Sequence, residues 1–270
     1  MAEKEVKDGN AAPRTKSKKG AATVRTLVYC PERRFMAPYM NRAFGEENVV
    51  VTDKLPSSLP DGVRCAVMIS ATKIYDVVSG EGVTEDAPIE KKSFWTNYEG
   101  HFASFLRANS LPGCVLRCSY VIGTGMTGFP MWLARGINAG WLFHVAGNDS
   151  RVSLVHATDV AALSRLFADR LMAAGDAQTV IGPLNVTDGE ATPVDDLIDA
   201  LAFRINDKKV WTVSGLAARM ATLFYDRTRY EEMTTTLTFD DARLIAEAGD
   251  YRMHRVTEYL RTHDYGADSI

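Results

Sequence analysis

The chain has 270 residues, of which 46% are hydrophobic and 24% charged, an ordinary globular balance that excludes a wholly disordered, collagen-like or coiled-coil molecule. A net charge of -3 gives the body no electrostatic draw toward nucleic acid or a membrane surface, and no run reaches the roughly 20 apolar residues of a membrane span. Only four cysteines are present, the N-terminus carries no apolar leader, and Glu3, Glu5 and Asp8 sit among its lysines, so a cytoplasmic, reducing location without a disulfide framework is expected.

Residues 1–22 are rich in Lys, Ala, Gly and Ser and lack apolar periodicity, which predicts a disordered basic tail. With Lys4, Lys7, Arg14, Lys16, Lys18 and Lys19, it reads as a solubilising arm or as a weak polyanion-binding one. Residues 23–270 read as one domain. Arg25–Cys30 (RTLVYC) predicts a buried strand. Met36–Phe44 has helical spacing and stops at Gly45, and Asn48–Thr52 (NVVVT) is a second buried strand. Strand, helix and strand within about 30 residues make a βαβ unit and favour a parallel sheet.

Lys54–Gly62 (KLPSSLPDG) is turn-rich and reads as a loop before a third strand, Val63–Ser70. A long loop is expected from Asp76 to Lys92, then a helix over Phe94–Asn109 with Phe102, Phe105 and Leu106 on its apolar face. Cys114–Cys118 is a fourth strand, and its even spacing puts both thiols on one face, where burial is expected. Gly123, Gly125 and Gly128 mark a loop before a helix over Phe129–Asn138. A strand at Val152–His156, an amphipathic helix at Asp159–Met172 and a strand at Thr179–Val186 follow. Thr192 and Pro193 predict a helix start, with the hydroxyl as N-cap and Asp195 in the first turn. Leu216–Tyr265 reads as mostly helical, with an extended piece at Thr235–Phe239.

Six stretches carry a family resemblance. Ile69-Ser70-Ala71-Thr72-Lys73-Ile74-Tyr75-Asp76 looks like a strand-end Ser-Ser-x-x-Val-Tyr-Gly, and Val83-Thr84-Glu85-Asp86-Ala87-Pro88 like a Thr-Glu-x-x-Pro loop. Val115 to Gly123 is similar to Leu-Arg-Pro-x-x-Val-Tyr-Gly, and Val152 to Ala161 matches Val-His-Val-x-Asp-Val-Ala. Leu184-Asn185-Val186 matches a Tyr-Asn-Val strand, and Thr238 to Leu244 looks like Phe-Asp-x-x-Lys-Ala. In this order they resemble the extended short-chain dehydrogenase/reductase family, the NAD-dependent epimerase/dehydratase group. The resemblance implies an α/β fold, a reduced Rossmann-like parallel sheet with an interleaved C-terminal α/β substrate part mainly over residues 123–270. It also implies an NAD(P) cofactor and a nucleotide-sugar-like substrate.

The sequence departs from that family in three places. The dinucleotide of the family lies on a Gly-x-x-Gly-x-x-Gly turn, where backbone approaches the pyrophosphate at a helix N-terminus. Here those positions are Cys30, Arg33 and Met36, with Pro31 removing a backbone donor and Glu32 repelling phosphate. Arg33, Arg34 and Asp53 are the residues around which a rebuilt cofactor site would form. Second, the family inserts two strands and their helices between the ribose-binding acid, here Asp53, and the Ser-Ser strand. Lys54–Arg64 cannot hold them, since one crossover takes about a dozen residues. Third, the Ser/Thr-Tyr-Lys set falls on Ala71, Trp95 and Glu99. An indole is no acid or base, and a carboxylate inverts the charge that would lower a phenol's pKa.

Tyr75 and Lys73 remain as a relocated pair, beside Ser70 and Thr72, or else Tyr75 packs at the strand end and Lys73 is solvated. Arg117 and Arg151, the latter one residue off the usual register, fall near positions where the family contacts substrate phosphates, or else are surface or structural arginines. His156 and Asp159 read as a helix-start pair. The histidines have no metal-ligand spacing, so no metal is expected. Three readings follow: a degenerate family member with a binding or regulatory role toward a nucleotide-sugar-like ligand or a protein partner; an active NAD(P)-dependent epimerase or reductase with a rebuilt cofactor site and Tyr75 as acid/base; and a polyanion binder acting through its tail.

Overall fold

The structure, a computed structural model, describes residues 25–221 and 227–262. The predicted tail of residues 1–22 lies outside them, as do residues 222–226 and 263–265 of the last predicted helical region.

The chain opens with β1 (Arg25–Tyr29), α1 (Arg33–Phe44) and β2 (Val49–Thr52), with β1 and β2 parallel. Helix α1 begins three residues before the first residue of its predicted span, because Arg33 and Arg34 turn outward while Phe35, Met36, Tyr39 and Met40 carry the buried stripe. Gly45, at φ 82°, ends it. Next come β3 (Val63–Ala71), β4 (Gly80–Val83), α2 (Phe94–Asn109) and β5 (Gly113–Cys118). The loop expected over Asp76–Lys92 therefore holds a short strand, β4. Ser93 caps α2 by accepting from the Thr96 amide at 3.1 Å.

The middle of the chain forms β6 (Tyr120–Ile122), α3 (Gly128–Ala139), β7 (Phe143–Val145), β8 (Arg151–His156), α4 (Ala157–Ala174) and β9 (Val180–Val186). It is followed by β10 (Ala191–Pro193), α5 (Val194–Arg204), β11 (Trp211–Val213), α6 (Gly215–Ala221), α7 (Arg227–Thr234), β12 (Leu237–Phe239), α8 (Ala242–Ala248) and α9 (Val256–Arg261). Thr192 does not cap α5. It is paired in β10, opposite Val152 of β8, and the cap position belongs to Pro193, which supplies no side-chain hydrogen bond. A local cap signal lost here to strand pairing. His156 caps α4, its Nδ1 accepting from the Thr158 amide at 3.2 Å, and Asp159 sits in the first turn, so the helix-start reading of this pair matches the geometry.

The main sheet is parallel throughout, in the order β2-β1-β3-β5-β9. Side chains alternate across it as the strand period requires. Val28, Cys65, Val67, Ile69, Cys114, Leu116 and Cys118 face the core formed with α1 and α4. Leu27, Tyr29, Ala66 and Met68 face a smaller core with Tyr98, Phe102, Phe105 and Leu106 of α2. All four cysteines are buried and free, as the spacing of Cys114 and Cys118 implied.

In the usual doubly wound order, 3-2-1-4-5-6, a fourth strand stands beside the first. Here β3 itself pairs with β1 and β2 is the edge, so the sheet is contracted as the short Lys54–Arg64 segment required. Leu55 and Leu59 of that loop pack on the α2-side core in place of a helix. The contraction brings the strand ending in Ser70 one strand spacing, about 4.8 Å, closer to β1. The direction of winding reverses between β1 and β3, which is where open α/β sheets form their ligand crevice. Among the described residues there are two smaller sheets, β10-β8-β12-β4 with β6 on β8, and β11-β7; β6 and β12 of the first contribute to the far side of the crevice.

Candidate functional site

A cavity of about 500 Å3 opens at the carboxyl ends of β1, β3 and β5, at this switch point. Its size is that of a small-molecule site. Cys30, Pro31 and Glu32 from the end of β1, and Phe35 and Met36 from α1, form one side. Ser70, Ala71, Thr72, Lys73 and Tyr75 follow β3, Trp95 comes from α2, and Cys118, Ser119 and Tyr120 leave β5. Thr127, Gly128, Phe129 and Pro130 enter from α3, with Glu232, Leu237 and Phe239 from the C-terminal part.

The turn between β1 and α1 does not fit a pyrophosphate. Cys30 and Met36, at two of the glycine positions of the resemblance, are each 1% exposed and belong to the core. Burial also pushes the Cys30 thiol up to about 12, so it is no thiolate nucleophile. Pro31 has no amide hydrogen. The Phe35 and Met36 amides both donate to the Glu32 carbonyl at 3.0 Å, so they are already taken. The Glu32 side chain places a carboxylate where the helix dipole would otherwise attract a phosphate. Arg33, Arg34 and Asp53 are all exposed and do not line this cavity.

The residues at the family's catalytic positions do something else. Ala71 and Trp95 line the cavity, Ala71 without a hydroxyl and Trp95 packed edge-on to Tyr98 and Phe94. Glu99 lies beneath the cavity and grips Arg117 with two bonds, Arg117 Nε to Oε1 and Nη2 to Oε2, both 2.9 Å. Ser70 Oγ also donates to Glu99 Oε1, at 2.7 Å. Arg117 Nη1 reaches the Tyr75 hydroxyl at 3.1 Å, and that hydroxyl donates to Asn185 Oδ1 at 2.6 Å. Asn185 is anchored in turn: its side-chain amide donates to the carbonyls of Val83 and Asp240, and its backbone amide to Glu85 Oε1.

This network gives the carboxylate at the family's lysine position and the buried guanidinium each a partner. Arg117, only 5% exposed, is held in its charged form, because its bonds to Glu99 and Tyr75 outweigh the burial that works against the charge. For Tyr75 an upward shift favours the neutral form. Burial raises its pKa, and the bond and charge of Arg117 only partly oppose that. With its proton committed to Asn185 and its lone pair to Arg117, Tyr75 is held as a neutral structural link.

Lys73 is separated from it. Its ammonium is half-exposed and bonds Glu232 Oε1 at 3.0 Å, so it is paired rather than merely solvated. Tyr120 donates to the same oxygen at 3.1 Å, and Arg229 holds Oε2 of Glu232. The structure thus brings Tyr75 and Lys73 to one cavity but gives them different partners. Arg117 does not line the cavity, and Arg151, exposed at the start of β8, donates from Nη1 to the Ala191 carbonyl at 2.8 Å. Asp159, fully buried, ties the C-terminal segment down through Tyr251 and His254. Among the described residues no group of histidine, cysteine or carboxylate side chains could hold a metal ion, and no helix is long and apolar enough to cross a membrane.

Sequence reasoning missed Glu232, Tyr120, Ser119 and the rings of Phe35, Phe129 and Phe239 as cavity residues. Ser119 and Tyr120 directly follow the recognised strand end and could have been inferred from it. Glu232 arrives from a helix with no local motif.

No protein-family profile and no curated sequence matches the chain. Solved structures do match it in shape. Human epimerase family protein SDR39U1 (isoform 2), determined with NADPH, is 13% identical, with 88% of this chain and 98% of that one covered and a TM-score of 0.59. UDP-N-acetylglucosamine 4-epimerase from Bacillus cereus is 10% identical over 88% and 97% of the two chains, also at 0.59. UDP-glucose-4-epimerase from Stenotrophomonas maltophila, with bound NAD and formylated UDP-arabinopyranose, is 14% identical over 88% and 96%, again at 0.59. At such identities the likeness establishes the fold.

Proposed function

We propose that this chain, which carries the fold of the NAD-dependent epimerases, is a catalytically degenerate relative of them. It acts by binding a small molecule or a protein partner, without turning over a nucleotide sugar on a dinucleotide. The observation that carries this reading is the β1–α1 turn. Buried Cys30 and Met36, the proline at 31, the carboxylate of Glu32 and two amides already bonded to the Glu32 carbonyl leave no bed for a pyrophosphate. The Glu99–Arg117–Tyr75 network supports it independently, since the position of the family's catalytic lysine holds a carboxylate committed to Arg117. The four free, buried thiols suit a reducing, cytoplasmic setting.

The test is a titration with NADH and NADPH, followed by tryptophan quenching and by thermal shift. Trp95 stands on the cavity wall, so binding there would be visible. No saturation up to about a millimolar, a free energy no better than roughly -4 kcal/mol, is the expected outcome. Saturable binding at micromolar levels would overturn the reading in favour of an active oxidoreductase or epimerase. The variant Trp95→Tyr/Glu99→Lys should show no turnover, because the restored side chains would have no cofactor to act on.

A further inference from the structure

We infer that the switch-point cavity takes an uncharged, ring-bearing apolar molecule, in contrast to the phosphorylated ligands for which its position in the fold is suited. The inference rests on the reading above and names the ligand class for the same site. Three observations carry it, and the first is charge. The lining holds one cation, Lys73, and two carboxylates, Glu32 and Glu232. Lys73 is bonded to Glu232 at 3.0 Å, and Glu232 is also held by Arg229. Glu32 makes no ion pair among the described residues. An anionic ligand therefore meets a committed ammonium and an open carboxylate. The buried Arg117, the other cation of this region, is closed off by both oxygens of Glu99 and by Tyr75.

The second observation is the wall. Phe35, Trp95, Phe129 and Phe239 present rings to the cavity, with Met36 and Ile69 between them. Rings and a thioether reward a flat apolar guest and offer a phosphate nothing. The third is Ser119. It lines the cavity, is 8% exposed, and its hydroxyl has no hydrogen-bond partner among the described residues. A buried hydroxyl left alone is costly; its oxygen is shielded in this rotamer, and a turn about χ1 toward the cavity would pair it with a single polar atom on an otherwise apolar guest.

A matched pair of probes tests the charge rule. N-phenyl-1-naphthylamine is neutral; 1-anilinonaphthalene-8-sulfonate is the same ring system carrying a sulfonate. Both are titrated into the full chain, with fluorescence as the readout. The neutral probe should saturate at one site per chain, and the sulfonate should bind roughly fivefold more weakly, as one solvent-exposed like charge at contact distance implies. Glu32→Gln should narrow the gap between the two probes to under about twofold. Thr127 is exposed at the rim and makes no side-chain cap bond, so Thr127→Trp can block the mouth without loss of a fold contact. It should abolish neutral-probe binding.

Equal or tighter binding of the sulfonate, no binding of either probe, or binding that survives Thr127→Trp would each overturn the inference. NADH added to the neutral-probe complex separates this from the broader reading. Displacement by micromolar NADH would overturn the loss of the dinucleotide site. Absence of binding by probe and NADH alike would overturn only the ligand class.

Discussion

The Glu99–Arg117 pair should behave as a buried unit that tolerates joint removal better than single removal. The Arg117 side chain is 6% exposed and that of Glu99 is 17%. Glu99→Met leaves the guanidinium in the interior with only the Tyr75 hydroxyl, and leaves Ser70 without its acceptor. Removing one partner of a buried ion pair typically costs about 3–5 kcal/mol. For a domain of this size each kcal/mol moves Tm by about 2–4 °C, so the expected fall is roughly 6–20 °C. Arg117→Met should cost a comparable amount. The double variant Glu99→Met/Arg117→Met should recover much of the loss, because two apolar side chains of similar length need no counter-charge. Urea unfolding of wild type, both singles and the double gives the coupling directly. A single variant within about 0.5 kcal/mol of wild type, or a double as unstable as the sum of the singles, would refute the view that the two groups exist for each other.

Two further outcomes are expected. Burial raises the Asp188 carboxyl to about 6, against the opposing amides of Val256 and Glu190, which donate to it at 2.9 and 3.2 Å. A raised carboxyl binds its proton more readily in the folded state, so its contribution to stability falls as pH rises from about 4 to about 6, by about 3 kcal/mol in all. The stability of wild type relative to Asp188→Asn, from urea melts at pH 4, 5, 6 and 7, should drop across that window; a flat difference would remove the assignment. A Cβ at Gly123 would lie 2.6 Å from Tyr39 Oη, the atom that accepts the Thr124 amide at 2.7 Å. Gly123→Ala should therefore destabilise by about 1–3 kcal/mol. Adding Tyr39→Phe should return part of that, since the clashing oxygen is gone; equal losses in single and double would place the strain elsewhere.

The main elements of the fold were legible in the sequence because they obey local rules. The apolar runs RTLVYC and VRCAVMIS and the 3.6-residue stripe of α2 are dictated by period and propensity, and α2 was bounded at Phe94 and Asn109 as the structure has it. The missing pair of strands was also legible, because the reach of an eleven-residue segment is fixed by covalent geometry. The three-residue strands β6, β7, β10 and β11 were not, since pieces so short are defined by a partner and carry no period of their own. Thr192 shows the same limit, a strong helix-cap signal overruled by pairing with Val152.

For the site, the sequence alone could say that Cys30, Pro31, Glu32 and Met36 replace a phosphate-binding turn, because residue type decides what backbone and charge are available there. It could not say what the displaced acid/base positions do instead. Glu99 and Arg117 are 18 residues apart, Tyr75 and Asn185 are 110, and Lys73 and Glu232 are 159. A charged pair so distant in sequence leaves no local trace, and its partner is fixed only when the sheet and the C-terminal helices close around one cavity. Chemistry that resides in one turn is written in that turn; chemistry that resides in complementarity between remote groups exists only once packing has excluded water and left each buried charge a single partner.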